Sequence, residues 1–173
     1  MPLSRFKTIL IFLSVVLTLN ACSGNEIGNV NSVATNSNSN RAAIVPIDDV
    51  EEFGKIVKLP VAPEEATFYE FDLSADGSSR PSVPNAKRLV AVLQFSGENA
   101  NTLVSTLNNA VPLDVDAENW FPPELVAKSQ ETGDASLKGV SYAATAFLQP
   151  PYLNGRLTRI NDTNYFVLEL LTF

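Results

Sequence analysis

Apolar and polar positions alternate along Thr67–Leu73: Thr67, Tyr69, Phe71 and Leu73 fall on one side, Phe68, Glu70 and Asp72 on the other. A period of two marks a strand with one wetter face. Leu89–Phe95 and Tyr165–Leu171 are apolar on both sides, apart from Gln94 and Glu169, and predict strands covered on both faces. Gly155–Ile160 precedes the latter across Asn161-Asp162-Thr163-Asn164. Asn and Asp tolerate positive φ, so this pair predicts a hairpin. Ser141–Phe147 is a weaker strand of small residues. Gly97–Asn109 follows the capping residue Ser96 and places Ala100, Leu103, Val104 and Leu107 on one helical face. Pro122–Ser129 has the proline and acid of a helix start. Asp48–Val57 fits a short helix through Val50, Phe53 and Val57, while Gly54–Leu59 also fits a strand.

The order of elements is mixed, with consecutive strands near both ends. It predicts an α+β domain: an antiparallel or mixed sheet of about five strands, with two to three short helices on one face. The Pro-, Gly- and Ser-rich run Ser74–Pro84 interrupts the chain. What precedes it is too small for its own core, so it reads as a long surface loop in a single domain spanning 42–173.

The amino-terminal pattern differs. Arg5 and Lys7 precede the short apolar stretch Thr8–Leu19. A bilayer crossing needs about 20 apolar residues, so the stretch fits the apolar centre of a cleaved signal peptide. Leu19-Asn20-Ala21-Cys22 follows. It resembles the lipobox of bacterial lipoproteins, with Asn20 where that family favours a small or β-branched residue. The resemblance covers only this segment. It implies cleavage after residue 21, acylation of Cys22 and anchoring in a lipid bilayer. In Gram-negative members Asp in the next position favours inner-membrane retention, so Ser23 implies the outer membrane. The stretch 23–41 is rich in Asn, Ser and Gly and reads as a flexible tether. With the lipid attachment at Cys22, the expected organisation is signal peptide 1–21, lipidated tether 22–41 and domain 42–173. About 19 residues of flexible coil reach roughly 25 Å.

Composition narrows the chemistry. The chain has 173 residues, one Cys and no His. Imidazole-based catalysis and His-ligated metals are excluded, as is an internal disulfide. The formal charge of −7 becomes −9 once Arg5 and Lys7 leave with residues 1–21. An acidic chain lacks the basic face that nucleic acid requires.

Trp120-Phe121-Pro122-Pro123 and Phe147-Leu148-Gln149-Pro150-Pro151-Tyr152 are the densest aromatic and proline runs. Trp120, Phe121, Phe147 and Tyr152 are therefore candidates for a binding surface, since aromatics give large contact area at small entropic cost and prolines pre-order the backbone. The competing reading is packing: a staple at the start of a helix and the end of a strand. Asp114-Val115-Asp116-Ala117-Glu118 resembles the start of a calcium loop but has Asn119 and Leu125 where such loops need Gly and Glu. Solvated acids and a helix cap at Asp116 fit it better. The acidic runs Asp48–Glu52 and Glu64–Glu65 suit a solvated face. Glu169 is the acid inside a strongly apolar strand. If buried, its pKa is expected to rise unless a cation such as Arg159 faces it across the hairpin.

No catalytic residue, cofactor or metal ligand emerges. The expected function is a non-enzymatic binding module of the bacterial envelope that meets a protein or peptide near the membrane. Two alternatives come from other classes: an acidic inhibitor or immunity-type lipoprotein that neutralises a cationic toxin or lytic enzyme, and a His-independent hydrolase built on carboxylates.

Overall fold

Strands apolar on both faces need cover on both faces, and the computed structural model of the chain supplies it. It describes residues 44–73, 85–131, 133 and 135–173. The proposed signal peptide, Cys22, the tether and the loop Ser74–Pro84 lie outside these residues. The described elements run β1 Ile47–Asp48, α1 Val50–Ile56, β2 Glu65–Asp72, β3 Lys87–Gln94, α2 Gly97–Thr106, β4 Val111–Asp116, α3 Pro123–Glu131, β5 Ser136–Ala143, a 3₁₀ turn Thr145–Phe147, β6 Asn154–Ile160 and β7 Tyr165–Leu171. All strands join one antiparallel sheet of seven in the order β1-β2-β3-β7-β6-β5-β4. The α+β class holds. The expected five strands become seven because β1 has only two residues and β4 reads poorly as a strand. In β4, Pro112, Asp114 and Asp116 are poor strand formers, and Val115 is its one buried position.

The helices cover both faces rather than the single face expected. Leu89, Ala91 and Leu93 of β3 join Phe166, Leu168 and Leu170 of β7 under α1 and α2. Their neighbours Val90, Val92 and Val167 face the other way and pack with Phe121, Leu125 of α3 and Val115 of β4. Alternation along β3 and β7 therefore divides the core into two layers.

The ambiguous stretch before Val57 is helical because Asp49 caps it. The Asp49 carboxylate accepts from the backbone N–H groups of Glu51 at 2.8 Å and Glu52 at 2.9 Å. Phe53 then packs on Phe68 with ring centroids 5.1 Å apart. Asp49→Ala is expected to lower stability by about 1 kcal/mol, read as a drop in melting temperature with unchanged spectra of the folded state. Ser96 caps α2 as predicted, its hydroxyl accepting from the N–H of Asn99 at 3.2 Å. The helix stops at Thr106, short of the expected Asn109. Hydroxyls of Ser105 and Thr106 bond back to the carbonyls of Thr102 and Leu103, each at 2.7 Å, so burial of Ala100 and Leu103 rather than propensity holds this helix.

The predicted hairpin forms. Asp162 takes a φ of 59° in the turn, and Arg159 faces Phe166 in the register of β6 and β7. Among the described residues no helix is long and apolar enough to cross a membrane.

Candidate functional site

The four aromatic candidates do not form one surface. Trp120 and Phe121 meet edge to face, ring centroids 4.8 Å apart, in the layer with α3. Phe147 and Tyr152 are buried in the opposite layer, beneath α1 and α2. The structure brings them together in two pairs, because the segments that carry them fall on opposite faces of the sheet. The Gln149–Tyr152 segment closes as a turn, with the N–H of Tyr152 donating to the Gln149 carbonyl at 2.9 Å. The Tyr152 hydroxyl donates to Glu70, which also pairs with Lys87 at 2.5 Å. Burial first, and then the Glu70 carboxylate, push the phenol of Tyr152 far above its ordinary range.

Glu169 is buried, on the face of β7 that packs towards α3. The register sets Arg156 of β6 directly opposite it, and Arg88 of β3 lies diagonally, opposite Leu171. Arg88 Nη2 donates to one carboxylate oxygen at 2.5 Å, and Arg156 Nε donates to the other. Arg88 also lies over the ring of Phe71, 5.5 Å from its centroid. Burial pushes the Glu169 carboxyl up, but the hydrogen bonds and charges of Arg156 and Arg88 outweigh it and hold the pKa below its ordinary value of 4.5. The expected rise on burial is thus reversed.

Arg159 is not the partner. It lies on the opposite face, with its guanidinium 5.8 Å from the centre of the Phe166 ring, and donates to the Thr163 carbonyl at 3.2 Å and to Asn101 at 3.3 Å. Turn length carries the signal that separates the two arginines. With Ile160 and Tyr165 flanking the turn, residue 156 faces residue 169 and residue 159 faces residue 166. Nothing local indicates Arg88, which is 81 positions away.

Two cavities share this Arg–Glu–Arg ladder. A smaller, partly open recess of about 140 Å³ is bounded by the ladder, Phe121, Glu118 and residues 114–116 of β4. A more open groove of about 470 Å³ runs past the same three charged residues towards Asn154 and Leu171. A separate open depression of about 490 Å³ lies by the hairpin turn, between Tyr142, Arg159 and Asn164. Each ladder arginine gives Glu169 a single N–H, and a guanidinium carries five. Their side chains are 36% and 51% exposed against 10% for Glu169. The ladder can therefore present donors to an acceptor in the recess. The carboxylate itself, held ionised, is a weak base and no proton donor at neutral pH.

The acids of the calcium-like run sit on β4 and the turn after it, not in a loop. Among the described residues, no group of three or more His, Cys, Asp or Glu side chains is placed to hold a metal ion. No family model, curated protein or solved structure matches this chain.

Proposed function

We propose that the chain is a lipoprotein of the bacterial envelope, held in the bilayer by acylated Cys22, and that its α+β domain is a non-enzymatic binding module for a protein or peptide near the membrane. The observation that carries the anchor is the placement of the chain's single Cys at the end of a short apolar run that begins after Arg5 and Lys7. Several acyl chains on one residue, each CH₂ contributing about 0.8 kcal/mol, hold a protein far more firmly than one chain can. Ser23 directs such a protein to the outer membrane in a Gram-negative host. The binding role draws on the partly exposed arginines of the ladder, each of which spends one N–H on Glu169 among the described residues and borders a recess.

Cys22→Ser tests the anchor. The variant should take up no labelled palmitate and should accumulate with residues 1–21 attached. Normal cleavage and membrane retention of this variant would refute the proposal.

A further inference from the structure

The ladder occupies an apolar layer. An ion triad there gains little stability over hydrophobic side chains of similar volume, because the attraction must first offset the loss of hydration. Its donors, however, are arranged for use. Among the described residues, each guanidinium spends one N–H on Glu169 and keeps the rest of its fork. Such forks match a carboxylate, which accepts two parallel N–H bonds. Asp114, Asp116 and Glu118 line the recess together with Glu169, four acids against two guanidiniums, so net charge does not draw an anion there and hydrogen-bond geometry has to select the ligand.

The recess also has a backbone wall. The N–H of Ala117 donates to the Ala135 carbonyl at 2.9 Å, just beyond the paired residues of β4 and β5. Hydrogen-bonded positions alternate along an antiparallel pair, so Leu113 and Val115 bond towards β5 while Asp114 and Asp116 turn their backbone N–H and C=O outward. Two observations agree. Lys138, opposite Asp114, gives its carbonyl to Asn161 on the β6 side, at 3.0 Å. Pro112, which lacks an N–H, shares the outward parity and is tolerated there as on other edge strands. Strand β4 is the last in the sheet, and its outward positions 114 and 116 border the recess. Pro112 blocks pairing further along, so the usable edge is short.

We propose that the recess captures the C-terminal carboxylate of an extended peptide, with Arg88 and Arg156 binding the carboxylate while the last residues pair with the open edge of β4 at Asp114 and Asp116. Strand addition supplies affinity independent of sequence, and the guanidiniums require a free chain end. The small recess, lined by Val90, Val167 and Phe121, suits a small terminal side chain such as Ala. This inference rests on the reading of the domain as a binding module and names its partner class.

Trp120 is the chain's one Trp and stands beside Phe121, so its emission reports on the recess. Trialanine and trialanine amide are titrated into the full chain, followed by fluorescence and calorimetry. The free acid should bind about tenfold more tightly than the amide, the effect of losing charge-assisted hydrogen bonds. Arg156→Gln should erase that difference. Asp114→Pro should weaken the acid at least about fivefold without moving the melting temperature, because the amide it removes faces away from β5. The Pro variant keeps the test decisive if the Arg variant folds poorly. Equal binding of acid and amide overturns carboxylate capture; if Asp114→Pro weakens both, peptide binding at the edge survives, and with it the binding-module reading. Absence of binding by either peptide also overturns the inference, leaving the anchoring of the chain to the Cys22 test.

Discussion

Replacing Glu169 by Gln should destabilise the domain by about 2–3 kcal/mol, measured as a shift in the urea midpoint at pH 7. Removing one member of a fully buried ion pair costs about 3–5 kcal/mol, because its partner is left charged and dehydrated. Here the side chains of Arg88 and Arg156 are 36% and 51% exposed, so water recovers part of their hydration and the effect falls below that range. The variant should also change the response to acid. The folded pKa of Glu169 lies below its ordinary value of 4.5. Between those two values the unfolded chain binds more protons than the native one, so stability rises with pH. The contribution is full above about pH 4.5 and is lost as pH falls through the folded value. Glu169→Gln should therefore flatten the acid limb of a stability–pH curve. It should not abolish it: at Glu70, where burial pushes the pKa up, hydrogen bonds from Lys87 and Tyr152 prevail and hold it low as well. A triple change, Arg88→Met with Glu169→Leu and Arg156→Met, should restore stability or raise it, since it removes the dehydrated charges together. A triple variant as unstable as Glu169→Gln would show that the ladder is needed for the fold itself.

Gly155→Ala should cost about 3 kcal/mol, at the upper end of the range for overpacking. A Cβ on Gly155 would lie 2.2 Å from the Glu169 carbonyl oxygen, 2.6 Å from Leu170 Cδ2 and 3.0 Å from Leu170 Cα. Two of those neighbours are backbone atoms of β7, a strand paired on both sides by β3 and β6, so neither can move without disturbing the centre of the sheet. Glycine is required here for space. Gly97→Ala is the control: its Cβ would meet nothing closer than Asn164 Nδ2 at 3.8 Å, and stability should stay within about 0.5 kcal/mol of the parent. Thermal unfolding of the two variants separates them. Equal melting temperatures would mean that β6 and β7 can part at Gly155 without cost.

Local chemistry was legible wherever a single segment carries it. Ser96 capping α2 and the Asn161–Asn164 turn each depend on neighbours a few residues apart. The alternation in β2 marked a strand but not its buried side: Phe68, expected on the wetter side, lies in the core with Ala66, while Tyr69 and Phe71 are half-buried. The doubly apolar runs of β3 and β7 also indicated two covered faces, although not which helix would cover which. Strand β4 was hidden because an edge strand may carry Pro and Asp on its outward positions, and those residues read as loop. The aromatic runs were ambiguous for a related reason. Composition marks Trp120, Phe121, Phe147 and Tyr152 as contact residues alike, whether they touch a partner or the protein's own core.

The sequence by itself determined the apolar face of α2, the doubly apolar runs of β3 and β7 and the α+β class, all of which follow from periodicity and residue chemistry over short spans. Only the tertiary structure decided that Glu169 meets Arg88 and Arg156, that α3 faces away from α1 and α2, and that β4 closes the recess with an open edge. Those features depend on strand order and register between segments as far apart as 81 residues. Hydrophobic burial summed over the whole sheet fixes that arrangement, and no local pattern encodes the sum.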